Sequence, residues 1–497
     1  MSMNRRLFCK SAVAAGVAGA IPGHLVLARQ SRSSRNIPSD ISALTLDGDT
    51  IALNAAEVRE LGESLDGALL LDGDFGYDGS RSVWNAMHDR YPALIVRAAN
   101  ANDVSSAVTF ARERRLLTAV KGGGHSWPGR SVADNAMMID LGSLRGVDVD
   151  VARKRARAGG GALIFDLDAA TTRHALATPT GVVSHTGLGG YTLGGGYGHL
   201  SRKHGLTIDN LVSARIVTAD GQVRRVSADE NPDLFWAIRG GGGNFGVVTE
   251  FEYALHEQNP TVIAGEIVWP LDQVKDVFDF YAEYAPGLSD DADLSPGLWI
   301  TPDGVGVANM GIVHFGDHDR ARKELAPLLG FGKPLVAEVA PTHYLDVQTK
   351  LDGLFAPGVR SYAKSGMVSE FSQGLIDALV DSFDPSHAVG IGSHSAGGAV
   401  HRIDESATAW PHRNAMVMLG AFTIWNNPAD DDRFIKANKD QWAAIEPHTA
   451  GYYENIQSEV KGIPANYGPA YQRLVAVKNQ YDPMNLFRLN SNVKPTT

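Results

Sequence analysis

Three clusters of glycine constrain this chain more than any other feature: V-K-G-G-G-H-S-W-P-G at residues 120–129, G-L-G-G-Y-T-L-G-G-G-Y-G at 187–198 and R-G-G-G-G-N-F-G-V-V-T at 239–249. Each adjoins an apolar, strand-like run, so each reads as a loop at a strand end. Glycine lets the backbone come close to a ligand and turn several N–H groups toward one anion. Any one cluster is equally well a tight turn. Three of them in one stretch favour a cradle for the pyrophosphate of a dinucleotide. No G-x-x-x-x-G-K-[ST] motif occurs, which excludes a P-loop. The Rossmann-like spacing within 187–198 does not open the first βαβ passage, so a nicotinamide-binding Rossmann domain fits poorly.

Around the clusters the pattern alternates. L-I-V-R from residue 94, a helix opening near Asn102 or Asp103, and T-A-V-K predict strand, helix, strand. A-L-I-F-D-L-D-A-A-T-T-R-H-A-L and N-P-D-L-F-W-A-I-R read as helices, and the D-G at 220–221 as the turn of a hairpin. Past about residue 257 the glycine clusters stop, and strand-like runs such as V-I-A-G-E-I-V-W alternate with helices such as L-D-Q-V-K-D-V-F-D-F-Y-A-E-Y. That change predicts a separate α+β domain with an antiparallel sheet. The expected organisation is a nucleotide-binding domain at 40–256, a substrate domain at 257–454, and a C-terminal segment, 455–497, that returns to the first. At 497 residues, 44% apolar and 20% charged, the chain can bury several cores. A net charge of -11 argues against nucleic acid as a partner.

The first residues, M-S-M-N-R-R-L-F-C-K, precede an apolar run rich in alanine and glycine that ends at Ala28. This is the layout of a signal peptide at 1–28, with a short membrane anchor as the alternative. Arg5 and Arg6 resemble a twin-arginine signal, which implies the twin-arginine export machinery as a partner, a periplasmic or secreted product, and no membrane attachment after cleavage. The one cysteine, Cys9, lies in that signal, so the mature chain has no disulfide and no Cys-based metal site; no metal is expected.

The glycine motifs, in this order, together with the tail Y-D-P-M-N-L-F-R-L-N-S-N-V, resemble the flavin-linked oxidases of the vanillyl-alcohol oxidase superfamily, and within it the berberine bridge enzyme-like branch. The resemblance runs from about Tyr77 to Asn492. It implies an α+β protein with a two-lobed FAD-binding domain and an antiparallel-sheet substrate domain covering the flavin. It also implies that His125, directly behind the first glycines, is bonded to the flavin. Members with a second tether carry a cysteine where this chain has Val183, so the resemblance implies FAD held through His125 only. The cofactor contacts it implies are Lys121, Gly122, Gly123, Gly124, His125, Ser126 and Gly129 in the first cluster. In and before the second they are Gly181, Gly187, Gly189, Gly190, Gly194, Gly195 and Gly198, and beyond it Gly246, Val247, Tyr467 and Asn490.

The same resemblance places the Y-x-N segment, Tyr453 and Asn455, over the flavin ring. A phenol titrates near 10, so Tyr453 acts as a base only with a neighbouring cation or hydrogen bonds; otherwise it packs on the ring. His394, on an apparent strand, is a second candidate. Relatives carry Y-G-x-N before the closing helix, whereas Ala470 stands here in place of the asparagine and removes an amide. The implied reaction is hydride transfer from a small organic alcohol, amine or phenolic metabolite to FAD, with molecular oxygen as the acceptor that yields peroxide. A carbohydrate oxidase, a dehydrogenase with another acceptor, and a flavin-binding protein without turnover are the alternatives.

Overall fold

The computed structural model describes residue 37 and residues 39–496. The expected signal peptide lies outside the described residues. Three sheets organise the rest. The first runs in the order Ala68–Leu70, Leu94–Arg97, Met137–Asp140, Thr118–Lys121, with its last three strands parallel. The strand–helix–strand passage is present, with helix Ala101–Glu113 between its strands in sequence. In space, however, Met137–Asp140 separates the two strands. Its M-M-I-D run is buried along its whole length, and a strand covered on both faces gains most at the centre of a sheet. The helix starts slightly earlier than expected. Asn100 caps it, its Oδ1 accepting from the N–H groups of Asn102 and Asp103 at 2.9 and 3.0 Å.

The second sheet is antiparallel, in the order Val223–Ser227, Leu211–Val217, Val247–Ala254, Arg155–Gly159, Val147–Asp150. Its first two strands form the hairpin turned at Asp220 and Gly221, as the sequence predicts. The third sheet has seven antiparallel strands: Val336–His343, Thr261–Pro270, Gly306–His314, Ala292–Ile300, Val389–Ser395, Val417–Trp425 and Arg360–Val368. Helices Val274–Tyr284, Gln373–Ser382 and Asp431–Ile445 contribute Phe278, Leu375 and Trp442 to a core shared with Trp269 and Leu298 of this sheet. Each such side chain, fully buried, stabilises the fold by about 1.5–3 kcal/mol.

The tail packs on the first two sheets. Helix Ala470–Tyr481 places Leu474, Val475 and Val477 in the core of the second sheet, and Leu486 and Phe487 join that of the first. A loop near 405–413 also crosses over: Trp236 Nε1 donates to the Ser406 carbonyl at 2.9 Å, and the buried Arg413 grips Asp209 through two bonds of 2.7 Å. No described helix is long and apolar enough to cross a membrane.

Candidate active site

The seven-stranded sheet and the glycine loops enclose a cavity of about 1220 Å³. Its floor is glycine by necessity. Gly123 and Gly187, from the first and second clusters, lie back to back: a Cβ on either would overlap the backbone of the other. Gly122, Gly124, Ser126, Gly181, Gly189, Gly190, Gly246 and Val247 also line the cavity, as does Asn490, whose amide donates to the Gly243 carbonyl at 2.9 Å. A further glycine run, 159–161, packs against the carbonyls of Leu144, Val248 and Leu141, and Gly160 reaches the cavity. Sequence reasoning missed it, although three consecutive glycines were a visible signal.

Six of the expected cofactor contacts do not face the cavity, and each has a structural task instead. Lys121 turns its Nζ to the Ser80 carbonyl. Gly129 closes a turn on Ser126 at φ 65° beneath His88. Gly194 backs onto the Asn455 amide, Gly195 onto Trp410 and Gly198 onto the Thr180 carbonyl. Tyr467 donates its hydroxyl to Glu454 at 2.8 Å. Ala470 sits at the first turn of the last helix, packed against the second core.

His125 lines the cavity with its ring stacked on Trp84, centroids 4.2 Å apart and planes 12° from parallel. His185 lies 5.0 Å away. Burial first, then His185, pushes the His125 imidazole down to about 3, so it is neutral at physiological pH. Its Nε2 is buried without a hydrogen-bond partner. A neutral ring nitrogen stripped of partners costs free energy unless something else occupies it. Trp84 was not anticipated; its backbone N–H donates to the Gly124 carbonyl at 2.9 Å, which holds it over the loop.

Tyr453, Asn455 and His394 all line the cavity. The Tyr453 oxygen accepts from the N–H groups of Gly196 and Tyr197 at 3.1 and 3.4 Å, and from Asn455 Nδ2 at 2.9 Å. Burial outweighs these three donors and pushes the phenol up to about 12, so it keeps its proton. The nearby charge is the carboxylate of Glu454, not a cation. Burial likewise holds His394 neutral, down to about 4, with His199 lowering it further.

His199 was missed as well. It stands directly behind the second glycine cluster, in G-Y-G-H, as His125 stands behind the first, and the same reasoning points to it. Its Nδ1 lies 2.6 Å from Asp293 Oδ2, and it lines the cavity beside Ser295 and His394. Trp127, Phe355 and Phe422 close the cavity with an aromatic wall.

Comparison with known proteins decides the family. Residues 92–227 match the FAD binding domain model, and residues 463–494 match the "Berberine and berberine like" model. An FAD-linked oxidoreductase of Dictyostelium discoideum is 33% identical over 448 residues, covering 88% of this chain and 97% of that protein. The chain belongs to the berberine bridge enzyme-like FAD-linked oxidoreductases. The (R)-6-hydroxynicotine oxidase of Paenarthrobacter nicotinovorans is 31% identical over 452 residues, covering 87% of this chain and 97% of that enzyme. The crystal structure of 6-hydroxy-D-nicotine oxidase from Arthrobacter nicotinovorans matches with a TM-score of 0.79 at 29% identity, over 87% of this chain and 98% of that one. As in this family, the chain is an enzyme that binds FAD, and the expected α+β fold with its antiparallel sheet is present. The glycine floor, which any Cβ would fill, and the partnerless Nε2 of His125 both fit the cofactor.

Proposed function

We propose that this protein is an exported oxidase that removes two electrons from a small organic alcohol, amine or phenolic metabolite and returns them to oxygen as hydrogen peroxide. The observation that carries the reading is the neutral imidazole of His125, its Nε2 without a partner, set on the glycine floor of a cavity roofed by a separate sheet. When bound, FAD supplies a hydride acceptor and a carrier of electrons to oxygen.

His125 Nε2 is poised as the single covalent tether. Val183 lines the cavity where a second would need a thiol. Gly122, Gly123, Gly187 and Gly190 give the pyrophosphate its close backbone approach, and Asn490 fixes the third glycine loop beside them. Trp84 orients the His125 ring by stacking. Tyr453 and Asn455 hold the second glycine loop by its N–H groups and the Tyr191 carbonyl, and leave the phenolic proton to donate. The wall of Trp127, Phe355 and Phe422 excludes water and suits a compact, partly apolar substrate.

The test begins with the purified protein, which should be yellow, with the colour remaining in the pellet after acid precipitation. The holoenzyme is then mixed anaerobically with benzyl alcohol, N-methylbenzylamine, 4-hydroxybenzyl alcohol, cellobiose and (R)-6-hydroxynicotine. Bleaching by one of them, and peroxide on readmitting air, are the expected results. Colour that washes out in acid refutes the tether, and a flavin that none of them bleaches refutes the oxidase reading.

A further inference from the structure

The oxidation of an alcohol or amine releases a proton, and Tyr453 is poorly suited to take it, since burial keeps the phenol protonated in spite of the three N–H donors that face its oxygen. A different group meets the requirement. His199 Nδ1 is bound by Asp293 Oδ2 at 2.6 Å, the carboxylate side chain being 5% exposed and the imidazole 17%. A carboxylate on Nδ1 fixes the tautomer with the proton on that nitrogen, so Nε2 is left with its lone pair as the proton acceptor. The same carboxylate stabilises the imidazolium that forms, which is how an oriented histidine becomes an effective base.

Position supports the assignment. His199 follows the second glycine loop, whose N–H groups at Gly196 and Tyr197 meet the Tyr453 oxygen. Asp293 comes from the sheet above, on strand Ala292–Ile300. The pair therefore forms only where glycine loop and sheet close over the cavity, and His199 lines that cavity together with His394. A domain clip made solely for stability would not need an imidazole on the cavity wall.

We propose that His199, positioned by Asp293, is the general base of the reductive half-reaction; the inference rests on the oxidase reading above. The O–H or N–H bond of the substrate breaks, its proton bonds to His199 Nε2, and the electron pair stays on the heteroatom. That pair forms the new C=O or C=N bond as the adjacent carbon gives up its hydride to the flavin, so the substrate loses two electrons and two hydrogens in all. His199 is the catalytic residue here and Asp293 a positioning residue.

The test uses flavin-loaded enzyme and whichever of benzyl alcohol, N-methylbenzylamine, 4-hydroxybenzyl alcohol or cellobiose, each with an O–H or N–H on the reacting heteroatom, reduces the wild type. In anaerobic stopped flow, His199→Gln and His199→Ala should reduce about 10²- to 10⁴-fold more slowly, at unchanged flavin content. Added imidazole should restore part of the rate to His199→Ala and none to Asp293→Asn. Independently of turnover, one-dimensional proton NMR of the wild type should show a resonance far downfield of the amides from the Nδ1 proton on the Asp293 carboxylate. It should vanish in Asp293→Asn. A His199→Gln rate within about threefold of wild type, far less than the loss of a base, overturns the proposal while leaving the oxidase reading standing. A loss of melting temperature with no change in rate and no rescue by imidazole overturns it in favour of a domain clip. A wild-type flavin that no compound reduces overturns the oxidase reading and this inference with it.

Discussion

Replacing Asp482 by alanine should damage both stability and flavin retention, because of what it leaves behind. Lys478 and Asp482 are both fully buried, with Nζ 2.7 Å from Oδ2. The ammonium also donates to the carbonyls of Asn244 at 2.7 Å and Phe487 at 3.1 Å. Asp482 in turn accepts from the N–H groups of Leu486 and Phe487 at 2.8 and 2.9 Å. Removing one partner of a buried pair costs about 3–5 kcal/mol, since the other charge stays uncompensated in a medium that cannot solvate it. Two orphaned N–H groups add about 1–3 kcal/mol each where water cannot reach them. A total of at least about 5 kcal/mol is therefore expected from urea unfolding followed by tryptophan fluorescence. The double variant Lys478→Met, Asp482→Ala carries no stranded charge, and its cost should fall short of the sum of the singles by about 2 kcal/mol or more. The site is linked because Asn244 and Asn490 belong to the loop and tail that this pair joins, so Asp482→Ala should also bind less flavin per chain. An Asp482→Ala variant within about 1 kcal/mol of wild type, or strict additivity in the double, would refute the reasoning.

Tyr453→Phe should lose about 1–3 kcal/mol of stability, because the N–H groups of Gly196 and Tyr197 and the Asn455 amide lose their acceptor. Its anaerobic flavin reduction should slow far less than that of His199→Gln; a loss of about 10²-fold or more would restore the phenol as the base. Arg5→Lys with Arg6→Lys should leave flavin-loaded protein in the cytoplasm of the host, and fractionation showing unchanged export would exclude a twin-arginine route. Stability should also respond to acid. His394 and His412 sit near 4 in the fold through burial, below the ordinary 6.5, so the unfolded chain binds more protons between about 4 and 6.5. Each therefore makes stability rise with pH by about 1.4 kcal/mol per unit in that window and level off above it. Asp168, raised to about 7 by burial despite its bonds to Gln348 and Thr180, has the opposite sign from about 4 to 7, because there the folded chain holds the extra proton. Asp168→Asn should accordingly gain on wild type as pH rises through that range, and parallel melting curves from pH 4 to 7 would show the assignment to be mistaken.

Much of the fold was legible because it rests on local signals. The D-G hairpin, the helix after L-I-V-R and the strand-like runs after residue 257 all depend on neighbours close in sequence. The position of Met137–Asp140 between its two parallel partners was not, since a buried apolar strand carries no mark of which strands it will join. The site divides in the same way. Glycines whose missing Cβ makes room for another backbone stood out, but the sequence could not separate those facing the cavity, such as Gly123 and Gly190, from those making room for Trp410 or Asn455, such as Gly195 and Gly194. Asp293 was illegible for a stronger reason. It lies 94 residues from His199, and only the closing of the sheet over the loops brings them together.

That closing also bears on the single tether proposed above. Among the described residues there is no thiol, and Val183 stands on the cavity wall, so the proposed attachment rests on His125 alone. Orientation must then come from packing around His125, and the structure supplies it from three separate stretches of sequence. Trp84 lies flat on the imidazole, and its indole N–H donates to the Phe355 carbonyl. Asn85 reaches the carbonyls of both Trp127 and Ser361, at 2.9 and 2.8 Å. The His125 ring is thus braced from the Phe355 and Ser361 stretches across the cavity, and disturbing the Trp84 to Phe355 contact would loosen that ring.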